Sequence, residues 1–172
     1  MALIKDRRLA ADNWQLLERG ADGALPQVPP VGDVIVPLAV WQASHDALVA
    51  RGGRLGVWLA GEDDPADIAA DLEHFQVIAV RFVSFTDGRG YSTARLLRER
   101  YGWRGELRAI GDIQRDQVFY LARCGFDALA LRDGEGVETA LAAFKDFSDA
   151  YQTAVDRPIP LFRRRATAGT LS

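Results

Sequence analysis

Short apolar runs alternate with segments of helical periodicity from residue 34 onward. The runs at 34–36, 53–61 (GRLGVWLAG), 77–83 (VIAVRFV), 106–112 (ELRAIGD) and 126–133 (FDALALRD) have the length and composition of strands. Between the first two, residues 38–51 are expected to form a helix that stops at Gly52 and Gly53, where glycine can take up the left-handed conformation of a C-terminal cap. Asp64 reads as an N-cap with Pro65 at the first helical position, and Ile68, Ala69, Leu72 and Phe75 give that helix one buried face. Ala94, Leu97 and Tyr101 recur at helical spacing, Arg95, Arg98, Glu99 and Arg100 take the other sides, and Gly102 closes the segment. A helix over 115–124 ends at Gly125, and Val137, Ala140, Leu141, Phe144, Phe147, Ser148 and Tyr151 mark the inner face of a long last helix.

This alternation predicts an α/β fold of about five mostly parallel strands joined by right-handed crossover helices. Two arrangements satisfy it, a sheet curled like part of a (βα)8 barrel and an open doubly wound sheet, and the strand–helix cadence does not separate them. Residues 1–32 read as an N-terminal hairpin followed by a Pro/Gly-rich linker, residues 33–157 as the α/β domain, and residues 158–172 as a flexible basic tail carrying Arg163, Arg164 and Arg165. A partial barrel leaves open sheet edges, so pairing with a second copy into a homo-oligomer is expected.

Composition narrows the partners. With 172 residues, about half of them apolar, the chain can bury one core, and 21 basic against 24 acidic side chains give no electrostatic reason to expect nucleic acid. The N-terminus lacks the apolar run of a signal peptide and no stretch approaches membrane-spanning length, so the cytoplasm is the expected compartment and no membrane partner is expected. Cys124, the single cysteine, can form no internal disulfide and cannot supply the thiolates of an iron–sulfur cluster. Its place at the end of a helix favours a buried structural thiol. His45 and His74 lie on expected helices with no second histidine or cysteine at ligand spacing, so no metal site is expected.

In either arrangement ligands gather at the carboxyl ends of parallel strands, where loops converge and helix N-termini point. Charge accumulates there: Glu62, Asp63 and Asp64, then Asp87 and Arg89, then Asp112, Arg115 and Asp116, then Arg132 and Asp133. The run DGRGYS (Asp87, Gly88, Arg89, Gly90, Tyr91, Ser92) lies between an expected strand and an expected helix, the setting of a dinucleotide-binding G-x-G-x-x-G turn, but Thr93 holds the third glycine position. A smaller anion site is the alternative, with backbone N–H groups of residues 90–92 and the charge of Arg89 or Arg95. Asp112, Arg115, Asp116 and Asp133 complete this candidate ligand-binding set. The remaining alternative is a tight turn with Ser92 as a helix cap. No motif fixes a cofactor, and a dinucleotide remains the weakest of these alternatives.

The runs FTDGRGYSTARLLRERYGWRGELRAIGD (85–112) and RDQVFYLARCGFDA (115–128) resemble a bacterial family of unknown molecular function whose members are described as oxidoreductases involved in sulfite reduction. The resemblance extends to DNWQLL, VPLAVW, AFKDFSDAYQ and PLFRRR and so covers nearly the whole chain. It implies a place in assimilatory sulfate and sulfite reduction, with a sulfite reductase or adenylyl-sulfate reductase as partner, but carries over no catalytic residue. Sulfite reductases use sirohaem and an iron–sulfur cluster, whose thiolate ligands this chain lacks. Two expectations remain: an accessory or regulatory protein that binds an anionic ligand or a pathway reductase, or a small oxidoreductase or nucleotide-dependent enzyme acting on a sulfur metabolite at the 87–92 loop.

Overall fold

The computed structural model describes residues 2–84, 86–131, 136–144 and 155. The chain opens with a hairpin of β1 (Ala2–Lys5) and β2 (Arg8–Ala10), joined by Asp6 and Arg7 at φ 50° and 61°. Positive φ at both turn residues matches the twist of the flanking strands, as in type I′ hairpins. A two-residue strand, β3 (Gln15–Leu16), follows, and the five expected strands come next: β4 (Val34–Pro37), β5 (Leu55–Leu59), β6 (Val77–Phe82), β7 (Glu106–Gly111) and β8 (Ala128–Leu131).

All eight lie in one sheet of order β2-β1-β8-β7-β6-β5-β4-β3. Strands β3 to β8 are parallel and in sequential order, while β1 pairs antiparallel with β8 and with β2. Sequential order has no switch point, so right-handed crossovers place their helices on one face and the sheet curls into a half-barrel. The doubly wound alternative is thereby set aside. The hairpin and β3 extend the sheet at its two edges, bringing it to eight strands where about five were expected.

The helices are α1 (Leu38–Ala50), α2 (Arg89–Arg95), α3 (Val118–Arg123) and α4 (Val137–Ala143). Gly53, Gly102 and Gly125 adopt positive φ after the segments they were expected to close. The single helix expected after Asp64 is instead two 3₁₀ turns, Pro65–Ile68 and Leu72–His74. Asp64 caps the first through Ala66 N–H, as expected. The acid-rich segment explains the departure, because Asp64, Asp67 and Asp71 compete for backbone groups and are weak helix formers. Residues 145–154 of the expected last helix, and the tail arginines, lie outside the described residues. No helix among the described residues is long and apolar enough to cross a membrane.

Strand alternation separates two layers. Val34, Val36, Val57, Leu59, Ile78, Val80, Phe82, Leu107 and Leu129 face the helices and build the main core. Leu3, Ile35, Trp58, Val77, Ala79, Ile110, Ala128 and Ala130 face the hollow of the half-barrel, where Trp14 and Leu16 pack on them. The inner face also holds charge. Arg108, with a side chain only 3% exposed, meets Asp12 through Nη1 at 2.9 Å, and its Nε donates to Glu106 Oε1 at 2.7 Å. Its Nη2 also lies 2.7 Å from Glu106 Oε1, off the hydrogen-bonding direction, as an ion-pair contact. Lys5 Nζ closes the cluster on Glu106 Oε2 at 2.8 Å, a hydrogen bond that raises the lysine's pKa.

A second buried arginine fastens the amino ends of β7 and β8. α2 runs into a π-helical turn, Leu96–Arg100, and from it Arg98 donates to the carbonyls of Trp103, Gly105 and Gly125 and to Asp127 Oδ2. Burial pushes the Asp127 carboxyl up, against the pull of the Leu107 N–H and of Arg98. Removing the guanidinium strands a half-buried carboxylate and three carbonyls. Arg98→Ala is therefore expected to lower unfolding stability by about 3–5 kcal/mol, and Arg98→Lys to recover only part of the loss, both read by urea denaturation.

Candidate functional site

The rim at the carboxyl ends of β5, β6 and β7 carries most of the residues singled out from sequence. After β6 the chain makes a turn in which Asp87 N–H donates to the Ser84 carbonyl, and α2 starts at Arg89 behind Gly88 as N-cap. Arg89 is exposed but paired. Its Nε and Nη2 donate to the two oxygens of Asp87, both at 2.9 Å, and its backbone N–H donates to Asp87 Oδ1 at 3.2 Å. The hydrogen-bonded guanidinium holds the Asp87 carboxyl below the usual aspartate range and raises the arginine's own pKa. Gly61, at the end of β5, lets this pair lie against it, since a Cβ there would come within 2.8 Å of Asp87 Oδ2. The paired charges are thus packed on the neighbouring loop.

Gly90 has a packing role. It is buried in the first turn of α2, where a Cβ would stand 2.7 Å from Phe82 Cζ and 3.1 Å from Val80 Cγ1. The glycine brings the helix onto β6, the task of the third glycine in a dinucleotide turn, but here in the second position. Ser92 is exposed within α2 and is not its cap, a position that Gly88 holds.

Tyr91 links this loop to the next. Its ring packs on Phe82 at 5.2 Å and on Tyr120 of α3 at 4.8 Å between centroids, and its hydroxyl accepts from Gln117 Nε2 at 3.0 Å. Burial raises the Tyr91 pKa, so the group is a neutral phenol near neutral pH. Gln117 also closes a capping box with Gln114 at the 3₁₀ turn Arg115–Gln117, which carries Arg115 and Asp116 exposed at its start. Asp112, at the end of β7, is half-buried, and its N–H donates to the Phe82 carbonyl at 2.7 Å. Asp133 lies outside the described residues, as does Arg132. The 87–92 and 112–116 segments therefore share one rim, joined by the two tyrosines and Gln117.

Three features escaped the sequence reading. Arg81, on the hollow side of β6, lies 4.1 Å over the Trp58 ring and pairs with Glu18. Trp58 Nε1 donates to the Leu17 carbonyl at 2.8 Å, so residues 17–18 close the hollow beside the rim. The Arg108 cluster lies deeper. A period-two reading of VIAVRFV and ELRAIGD puts Arg81, Glu106 and Arg108 on the phase opposite the helix-facing residues, which was the signal available. The third feature is a cluster that spacing along the chain does not show: the chain's two histidines, His45 and His74, meet with Asp71 between α1 and β6, all three potential ligand atoms within 4.8 Å of one another. Cys124 is buried behind α3, consistent with the structural role expected for it.

The Asp87 carboxyl supplies a pH test. A depressed carboxylate contributes stability that is fully present above its ordinary pKa of about 3.9 and is lost as pH falls through the lowered folded value. The Asp87 side-chain carbonyl resonance is accordingly expected to titrate below a model aspartate in NMR spectra, and Arg89→Ala to move its midpoint back up. A midpoint unchanged by Arg89→Ala would show that the pair does not hold the loop in solution.

No curated protein matches the chain. A family model described as "Bacterial protein of unknown function (DUF934)" matches residues 56–162, a span that includes β5 to β8 and the whole described rim. The chain belongs to this family of bacterial proteins of unknown function.

Proposed function

We propose that the protein is an accessory or regulatory component of assimilatory sulfate and sulfite reduction that docks on a pathway reductase through the rim at the carboxyl ends of β5, β6 and β7. The pathway rests on the resemblance carried by the DGRGYS and RCGFDA runs. The mode of action rests on the rim itself. The observation that carries it is the Asp87–Arg89 pair: a guanidinium already engaged through Nε and Nη2 by its neighbour is a poorer cradle for a small anion than a free one, and at 58% exposed it stands at the surface where a partner can meet it. Around it stand the half-exposed Tyr120, edge-on to Tyr91, and Val83, 66% exposed. Tyrosine and arginine held in place on a firm scaffold are the residue types that concentrate binding energy at protein interfaces.

The purified protein should bind a sulfite reductase or an adenylyl-sulfate reductase from the same bacterium in a surface-immobilised assay. Tyr120→Ala should weaken that complex by about 2 kcal/mol, roughly thirtyfold, with the fold intact. Failure to associate with either reductase, combined with turnover of a sulfur metabolite that is lost in Arg89→Ala, would replace this reading with that of a small enzyme acting at the 87–92 loop.

A further inference from the structure

The structure assigns His45, Asp71 and His74 as a three-ligand site for a divalent first-row transition ion, zinc being the expected one. It lies on the helix side of the sheet, away from the rim. The chain has only two histidines, and the fold brings both to one carboxylate from segments 26 or more residues apart in sequence. Two local geometries achieve this. Asp71 and His74 bracket the 3₁₀ turn Leu72–His74, and His74 N–H donates to the Asp71 carbonyl at 3.0 Å. At three residues per turn, positions i and i+3 eclipse, so the two side chains share a face. On the other side, α1 is kinked at Ser44, with φ −139° and ψ 29°, immediately before His45. His45 then meets His74 at 5.9 Å between ring centroids, and its Nε2 lies 3.9 Å from Asp71 Oδ1.

The surrounding polar contacts orient the ligands as metal sites do. Trp41 Nε1 donates to Asp71 Oδ2 at 3.1 Å, which leaves Oδ1 facing His45. His45 Nδ1 lies 2.9 Å from Asp46 Oδ1, an arrangement that places the ring proton on Nδ1 and leaves Nε2 as the ligand nitrogen. Zinc bound to nitrogen and oxygen at about 2.0–2.2 Å in a tetrahedron would bring ligand atoms to about 3.3–3.5 Å of one another. The His45–Asp71 separation of 3.9 Å and the 4.8 Å within which all three ligand atoms lie are both wider than this, so closing on an ion requires the side chains to rotate inward. Two imidazoles and a carboxylate suit zinc, iron(II) or nickel and disfavour calcium and magnesium. All three side chains are partly exposed, so the ion has access and a coordination position is left for water.

The test is titration of the full-length, chelator-treated protein with zinc by calorimetry and with cobalt(II) by its visible absorption. One equivalent should bind per chain. His45→Ala and His74→Ala should each weaken binding at least tenfold, and Asp46→Ala, outside the ligand set, by about tenfold. If an alanine variant does not fold, the wild-type protein still decides the matter: with two histidines in the chain, zinc should shift the ring-nitrogen NMR signals of both. Absence of stoichiometric binding, zinc affinity unchanged in folded His45→Ala and His74→Ala variants, or a shift of only one ring would overturn the assignment.

Discussion

Four residues must carry the chain from β2 to β3, which lie at opposite edges of an eight-stranded sheet. Five Cα steps span at most about 18 Å, whereas seven inter-strand spacings in a flat sheet would separate those edges by about 33–34 Å. The sheet therefore has to curl. Residues 11–14 become a strap across its hollow, and the inner positions have to suit a concave surface. Gly56, Ala79, Ala128 and Ala130 leave room there for Trp58 and for Trp14 of the strap. Arg108 can be buried in that hollow because Glu106 neighbours it on β7 and the strap supplies Asp12. The cluster of Lys5, Glu106, Arg108 and Asp12 balances two positive charges with two negative ones, so the hairpin, strap and central strand hold one another in register. Ion pairs of this kind are weak as sources of net stability and better suited to fixing one arrangement.

The same curvature shapes the functional surface. With the hollow filled by side chains and bordered by the contacts of Leu17 with Trp58 and Glu18 with Arg81, the loops after β5, β6 and β7 are what the half-barrel presents at its carboxyl end. These loops brace one another: Gly61 accepts the Asp87–Arg89 pair, and Tyr91 reaches across to Gln117 and Tyr120. A rim so cross-linked is organised as one continuous surface. The histidine pair belongs to the opposite layer, where a 3₁₀ turn and a kinked helix meet, so the two candidate sites can be perturbed independently.

What was legible in the sequence was local. The five parallel strands, their crossover segments and the closing glycines at 53, 102 and 125 are written in short windows of apolar periodicity and in single residues with positive φ. What was not legible depends on non-local pairing. Nothing near residues 2–16 says that β1 joins β8 while β3 joins β4, and no short window gives the sequential order of β4 to β8 that distinguishes a half-barrel from a doubly wound sheet. The DGRGYS run shows the limit for sites, because a glycine between a strand and a helix reads alike whether it cradles a phosphate or accepts a ring, and only the fold shows Gly90 lying against the Phe82 ring. His45 and His74 read as unrelated because they lie on separate segments with no second histidine or cysteine at ligand spacing, and only the packing of α1 against the 3₁₀ turn brings them together.

Whether the strap across the hollow is locked to the middle of the sheet is read from a double-mutant cycle of Asp12→Ala and Arg108→Met in unfolding free energy. A lock of this kind predicts a coupling of about 1–3 kcal/mol between the two positions. Additive effects, with coupling below about 0.5 kcal/mol, would mean that the strap does not hold Arg108, and the account of how the sheet is held curled would fail with it.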